Sequence, residues 1–264
     1  MQHTITTSAD GSSTLQLTEF GETYHSTNGA FTEAMHIYIK AGVEHLFHAM
    51  EAPECINVFD VGFGTGLNCI LLYAWQQTLI SAGLPYPKIC YFGIEKYPIQ
   101  PAEAQELNYP NIIAQNLALI PDDLSAAFTF MHNCPWEKEI PIPPLNKVTG
   151  SLTPQKDNAN TFTLQKNCAD IVSLGAEYYK EKCTGQCCTI APAVVFYDTF
   201  SPTTQPHLWS EEIFRNIASG CPSGSVLVTY CSKGTVKQAL RGAGFTLERL
   251  AGPPGKRHIL RGTL

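Results

Sequence analysis

Unbroken apolar runs recur along this chain, separated by amphipathic stretches. "CINVFDVG" (55–62), "KICYFGIEKYP" (88–98), "AVVFYD" (193–198) and "GSVLVTYC" (224–231) each read as a strand covered on both faces, as in a parallel sheet. "TFTLQ" (161–165) supplies a further strand signal. Between the runs, "LNCILLYAWQQTLISAG" (67–83), "PAEAQELN" (101–108), "QPHLWSEEIFRNIAS" (205–219) and "TVKQALRGAG" (235–244) have helical spacing. Strand–helix alternation predicts a doubly wound α/β sheet, to which "FTLERLA" (245–251) and "RHILRG" (257–262) add an antiparallel edge. Ahead of it, "TLQLTEFGETYH" (14–25) predicts a hairpin broken at Gly21, and "GAFTEAMHIYIKAG" (29–42) a helix that stops at Gly42. The expected organisation is an N-terminal extension, 1–50, packed on a core domain, 51–264. Residues 134–160, with five prolines, read as an inserted loop.

Composition alters this picture little. The balance of apolar and charged residues is that of a globular chain. No apolar run reaches the ~20 residues needed to span a bilayer, and the polar N-terminus lacks a signal pattern, so a cytoplasmic protein without membrane contact is expected. Ten cysteines, most beside apolar runs, are expected as reduced thiols. "CTGQCC" (183–188) lacks a paired ligand set at zinc-finger spacing, and no metal is expected. Charge matters more. The net charge is −6, yet from residue 233 onward Lys233, Lys237, Arg241, Arg249, Lys256, Arg257 and Arg261 face a single acid, Glu248. That asymmetry fits either a local phosphate-binding face or a solvated surface.

The chemistry gathers where the predicted strands end. In an open α/β sheet ligands bind beyond the carboxyl ends of the strands. Asp60, Glu95 and Asp198 close three of the runs, and Asp170 follows a fourth. "FDVGFGTGLN" (59–68) sets three glycines, Gly62, Gly64 and Gly66, after the first acid. This G-x-G-x-G spacing differs from the G-x-G-x-x-G of a dinucleotide site, and S-adenosylmethionine is the better fit than a nicotinamide cofactor. Asp60 would suit a cationic amino-acid end, and Glu95 both hydroxyls of a ribose. In "FYDTFSPTTQPHLW" the rigid Phe200–Pro202 turn would stand at the pocket mouth. Asp198 could orient an amine and take its proton, since an ammonium has no lone pair for attack. Phe200 reads equally as a stacking platform and as a core aromatic.

Several linked segments carry a resemblance. "ETYHSTNGAFTEAMHIYI", "DVGFGTGLN", "GIEKYP", "YDTFSPTTQPHLWSEEIF", "LVTYCSKGTVKQALRGAGF" and "GPPGKRHILRG" are similar, in order, to the MnmD-type methyltransferases, the family of the N-terminal half of bifunctional MnmC. The resemblance implies a class I, Rossmann-like fold with a mostly parallel seven-stranded sheet and an antiparallel last strand. It implies S-adenosylmethionine-dependent methylation of the 5-aminomethyl group of a wobble (2-thio)uridine in tRNA, giving 5-methylaminomethyl-(2-thio)uridine. Partners would be tRNA and the enzymes that install the aminomethyl precursor. Because the chain ends at Leu264, it is expected to be monofunctional and to use no FAD. By the same resemblance Asp60, Gly62, Phe63, Gly64, Thr65, Gly66, Glu95 and Lys96 fall at cofactor positions, and Asp170 at the acid that holds the adenine amino group. Ser26 and Glu33 belong to the segment that closes over the methionine end, with His25 ranked below the acids. Asp198 falls on the catalytic acid, and Phe200, Pro202, Lys233, Lys237, Lys256 and Arg257 on the substrate side. Thr199 and Ser201 are variants of the family motif, and Thr204 stands where a basic residue is usual.

Two rival readings keep the same fold. One is a methyltransferase acting on a small-molecule or protein amine. The other is a non-catalytic tRNA-binding protein with no affinity for S-adenosylmethionine.

Overall fold

The computed structural model describes residues 3–17, 22–145, 161–184 and 191–264. The polar N-terminus forms strand β1 (His3–Thr7), which pairs antiparallel with β2 (Ser13–Leu17). The expected hairpin at 14–25 is present as antiparallel pairing of Leu15–Leu17 with Glu22–Tyr24, through the Gln16–Thr23 bridge and the Leu17 N–H to Glu22 and Tyr24 N–H to Leu15 bonds; its turn at Gly21 lies outside the described residues.

One long helical arm follows: α1 (Ala30–Ala34), a π-helical segment (Met35–Glu44) and α2 (His45–Ala49). The helix therefore does not stop at Gly42. A Cβ there would lie 3.0 Å from Val228 Cγ2 and 3.2 Å from Val194 Cγ1. The glycine serves close packing on the sheet, not termination. Ile37, Ile39 and Val43 of this arm share one core with Val58, Phe196 and Val228 of the sheet.

The sheet begins with β3 (Cys55–Val61), buried at every position. A glycine turn leads into α3 (Leu67–Ala82), which ends on Gly83 with φ 67°, as the pattern predicts. Next come β4 (Lys88–Glu95) and α4 (Pro101–Gln105), the latter fixed by a reciprocal capping box between Gln100 and Glu103. Helices α5 (Tyr109–Leu117) and α6 (Pro121–Asn133) fill a stretch whose pattern was mixed. The proline-rich stretch is not all loop: β5 (Glu139–Pro141) pairs antiparallel with β6 (Phe162–Cys168), and Ile142 is buried. Its remainder, 146–160, lies outside the described residues. Then follow α7 (Ala176–Thr184), β7 (Ala193–Tyr197), α8 (Glu211–Gly220), β8 (Val226–Thr229), α9 (Gly234–Gly242), β9 (Thr246–Ala251) and β10 (His258–Thr263).

Among the described residues the strand order is β5-β6-β4-β3-β7-β8-β10-β9, eight strands where seven were expected. Strands β6, β4, β3, β7 and β8 run parallel. The last two strands form the antiparallel edge that the pattern predicts, with β10 seated between β8 and the outermost β9. The order reverses between β3 and β7, which opens a crevice at their carboxyl ends.

Of the cysteines described, none is in a disulfide: Cys55, Cys69, Cys90, Cys134, Cys183 and Cys231 are buried, Cys221 is half-buried, and Cys168 is exposed. Cys187 and Cys188 of the "CTGQCC" stretch lie outside the described residues. Among the described residues no helix is long and apolar enough to cross a membrane, and no group of three or more metal-ligating side chains gathers.

Candidate active site

A cavity of about 640 Å³ opens at the carboxyl ends of β3, β4, β6 and β7. Its base is the glycine turn. Gly62 has φ +96°, and a Cβ there would come within 2.7 Å of the Asp198 carbonyl oxygen. Only a residue without a side chain lets the chains leaving β3 and β7 approach this closely. Gly62 and Phe63 both donate backbone N–H groups to the Ile94 carbonyl, and Asp198 donates its own to Val61. The three strand exits are thereby tied into one rim.

Glu95 ends β4 at this rim. Its Oε2 accepts the Gly64 N–H at 2.9 Å and its Oε1 the Tyr97 N–H at 2.8 Å. Each carboxylate oxygen keeps a further lone pair, so the oriented group can still accept two hydroxyls. Asp170 lies across the cavity. Lys96 Nζ pairs with its Oδ2 at 2.7 Å, and Val172 N–H donates to its Oδ1 at 3.0 Å. The Lys96 ammonium holds the Asp170 carboxyl below the usual carboxylate range.

Asp198 occupies the opposite end. Its Oδ2 accepts Asn68 Nδ2 at 2.9 Å. Burial lifts its pKa above the ordinary value, against the lowering effects of the Tyr38 hydroxyl, the Asn68 amide and the Lys256 ammonium. Beyond it lie Phe200, with Tyr24 edge-on at 5.4 Å, and Tyr230, whose hydroxyl donates to the Thr199 carbonyl at 2.9 Å. Trp209 Nε1 donates to the Phe200 carbonyl at 2.9 Å, which fixes the 198–202 loop from behind. The 22–27 segment roofs the cavity: the Glu22 carboxylate accepts from Thr204 and Ser201 hydroxyls, and His25 Nε2 meets Thr65 Oγ1 at 2.7 Å. Burial lowers the His25 pKa to about 4, so this imidazole is neutral near pH 7.

Of the residues singled out in the sequence, Ser26, Glu33, Gly62, Gly64, Glu95, Lys96, Asp170, Asp198, Phe200 and Lys256 line this one cavity, as does His25. Asp60 does not. It is fully buried beneath the floor, where Tyr91 donates to its Oδ2 at 2.5 Å and Asn68 Nδ2 lies 3.5 Å from its Oδ1. Because a fully buried β3 position faces protein on all sides, Asp60 cannot meet a cationic ligand end; it steadies Asn68, which in turn holds Asp198. Phe63, Thr65 and Gly66 are also absent from the lining. The Phe63 ring lies over Gly93, where a Cβ would be 2.5 Å away; Thr65 braces His25 and Tyr109; and Gly66 makes room for His132.

On the basic side, Lys256 turns inward. It pairs with Glu33 at 2.6 Å and sits 4.7 Å from the Tyr230 ring centroid, so it is not an outer-surface cation. Pro202, Lys237 and Lys233 lie outside the cavity, with Lys233 bonded to the Thr203 hydroxyl. Arg257 is exposed. Sequence reasoning missed Asn68, Glu22, Tyr38 and Tyr230. Asn68 was readable, standing in the first turn of the helix that the glycine turn opens. The others come from segments whose pattern says only that they are helix, strand or turn.

Residues 184–264 match a family described as S-adenosyl-L-methionine-dependent methyltransferase. Over 251 residues, 95% of its length, the chain is 26% identical to the tRNA 5-methylaminomethyl-2-thiouridine biosynthesis bifunctional protein MnmC of Nitrosospira multiformis, of which the match covers 35%. The protein of the same description from Chromobacterium violaceum is 27% identical over 252 residues, 92% of this chain and 32% of that one. The chain thus spans about a third of the length of these curated relatives. Among solved structures, MnmC2 of Aquifex aeolicus superposes with a TM-score of 0.64 at 23% identity, covering all of this chain and 70% of that one. The fold is therefore an α/β, Rossmann-like fold shared with that protein, and the resemblance noted in the motifs extends over nearly the whole chain.

Proposed function

We propose that this chain is an S-adenosylmethionine-dependent methyltransferase that acts on the 5-aminomethyl group of a wobble (2-thio)uridine in tRNA, giving 5-methylaminomethyl-(2-thio)uridine. The observation that supports it is one cavity lined from both sides of the Gly62–Gly64 turn: Glu95 and Asp170 follow β4 and β6 on one side, and Asp198 with Phe200 follows β7 on the other, with Tyr230 after β8. The first set fits the cofactor. Glu95 would hold the ribose hydroxyls and Asp170 the adenine amino group, with the glycines admitting the ligand against the backbone. Ser26 and Glu33, with Lys256, would close the methionine end. When bound, the cofactor supplies a methyl group on a cationic sulfur that leaves as a neutral thioether.

The chain's own contribution is placement and proton handling. Asp198 would hold the acceptor amine by hydrogen bonding, with its lone pair aimed along the cavity. As the nitrogen–carbon bond forms and the carbon–sulfur pair stays with sulfur, the amine's proton passes to the Asp198 carboxylate. Alignment provides most of the acceleration and the carboxylate a further part. Phe200 and Tyr230 present aromatic faces against which an extruded base can stack. The relatives' description as tRNA 5-methylaminomethyl-2-thiouridine biosynthesis proteins supports the choice of acceptor. Cytoplasmic location, tRNA and the enzymes that install the aminomethyl group belong to the same proposal.

Incubation with labelled S-adenosylmethionine and tRNA carrying unmethylated aminomethyluridine, followed by nucleoside analysis, tests it. Label in 5-methylaminomethyl-(2-thio)uridine is expected. Label transferred to a small-molecule or protein amine, with tRNA failing to compete, would move the assignment to the first rival. The absence of any thermal shift with S-adenosylhomocysteine would favour the non-catalytic one.

A further inference from the structure

Tyr38 stands in the π-helical segment Met35–Glu44, which lies across the sheet. Its ring packs on Phe196 at 5.2 Å, two residues before Asp198 on the same strand. Only 2% of the residue is exposed, and its hydroxyl completes no well-formed hydrogen bond among the described residues, although it lies near enough to the Asp198 carboxylate to favour its charged form. A buried, unpaired hydroxyl is uncommon in a folded protein and needs a reason. The charge that acts on it most strongly is the Asp198 carboxylate. π-turns inside helices recur at functional sites, because the widened turn re-aims a side chain. Here the widened stretch brings the Tyr38 hydroxyl, among buried Ile37, Ile39 and Val43, close to Asp198.

We infer that Tyr38 is a positioning residue for Asp198: its hydroxyl donates to the carboxylate in the reactive complex and, with Asn68 on the other side, fixes which lone pair faces the acceptor amine. This rests on the reading of Asp198 as the proton acceptor. Every group around that carboxylate bears on it. Asn68 on α3 already donates to Oδ2; Lys256, ahead of β10, contributes positive charge; and Glu33 on α1 neutralises part of that charge. Tyr230, after β8, spends its hydroxyl on the Thr199 carbonyl, and Asp60 on β3, held by Tyr91, is itself raised by burial and by the Asp198 charge, so it favours its neutral form. Of these neighbours, Tyr38 is the one whose donor has yet to complete a bond. A donor to the charged form favours that form. It therefore keeps the buried carboxylate ionised at lower pH than burial alone would allow.

The test compares wild type, Tyr38→Phe and Asp198→Asn with S-adenosylmethionine and undermodified tRNA, measuring kcat and KM from pH 5 to 9, together with S-adenosylhomocysteine affinity and melting temperature. Tyr38→Phe removes only the hydroxyl. It is expected to lower kcat roughly ten- to a hundredfold. KM, S-adenosylhomocysteine affinity and melting temperature should stay in place, while the acid limb of kcat moves up by about one pH unit. An unchanged acid limb in Tyr38→Phe, whether kcat falls or holds, overturns the inference, because a purely structural tyrosine would not set the ionisation. Asp198→Asn keeps the two failures apart. If Asp198→Asn turns over normally, the proton-acceptor reading itself is wrong. If it is inactive and Tyr38→Phe behaves as wild type, that reading stands and only the role of Tyr38 is lost.

Discussion

Asp198 and Glu95 are both acids at strand ends, yet their surroundings assign them different work. Glu95 is held open by two backbone N–H donors, whereas Asp198 is held by a side-chain amide in a buried corner that raises its pKa. Replacing Asp198 by Asn should lower turnover at least a hundredfold and leave S-adenosylhomocysteine affinity within about twofold. Steady-state kinetics and calorimetry together check this. Replacing Glu95 by Ala should do the opposite at the binding step, weakening that affinity roughly ten- to a hundredfold, since two ligand hydroxyls lose their acceptor. Both acids were legible in the sequence because a strand that ends in a carboxylate stands out from its apolar run. Asp60 stood out for the same reason and is nonetheless buried beneath the cavity floor. Position at a strand end says that a side chain is near the rim, not which way it faces.

Among the elements, the helical arm from Ala30 to Ala49 does most to shape the site. It brings Glu33 to Lys256 and Tyr38 to Asp198, and it can do so because Gly42 admits Val194 and Val228. Gly42→Val should therefore destabilise the fold by about 1–3 kcal/mol through overpacking, seen as a lower melting temperature. A substitution at Gly83, whose Cβ would meet nothing within 4 Å, should act only through its left-handed backbone. The sequence pattern marked the helix and its glycine but assigned the glycine to a stop. Glycine weakens a helix and also thins it, and the chain alone does not tell which property is used.

For the whole molecule, two buried imidazoles set part of the pH response. Burial lowers the pKa of both His25 and His132 from 6.5 to about 4. Between about pH 6.5 and 4 the unfolded chain binds protons that the folded one refuses, so these residues reduce stability as pH falls through that window and no further below it. Asp60 and Asp198, raised by burial, act in the opposite sense above 3.8. A comparison isolates the histidine: relative to His132→Gln, wild type should lose up to about 3 kcal/mol between pH 6.5 and 4, measured by denaturant unfolding. The basic segment from Lys233 onward carries the proposed tRNA contact at this scale. Arg257→Ala should reduce the slope of log affinity against log salt by about 0.7–0.9 if that exposed guanidinium meets a phosphate, whereas Lys256, turned into the cavity, should change affinity with less effect on the slope.

From the sequence alone came the parallel α/β sheet, the glycine turn and the acids at the carboxyl edge. These follow from local rules, since covered strands must be continuously apolar and a tight turn against a neighbouring backbone must be glycine. Tertiary structure alone decided that Glu95, Asp170 and Asp198 share one cavity while Asp60 lies under it, that Lys256 is spent on Glu33, and that β5 and β1 exist at all. The reason is distance along the chain. Glu33 and Lys256 are 223 residues apart. No local pattern records such a pairing; it exists only once the arm has packed across the finished sheet.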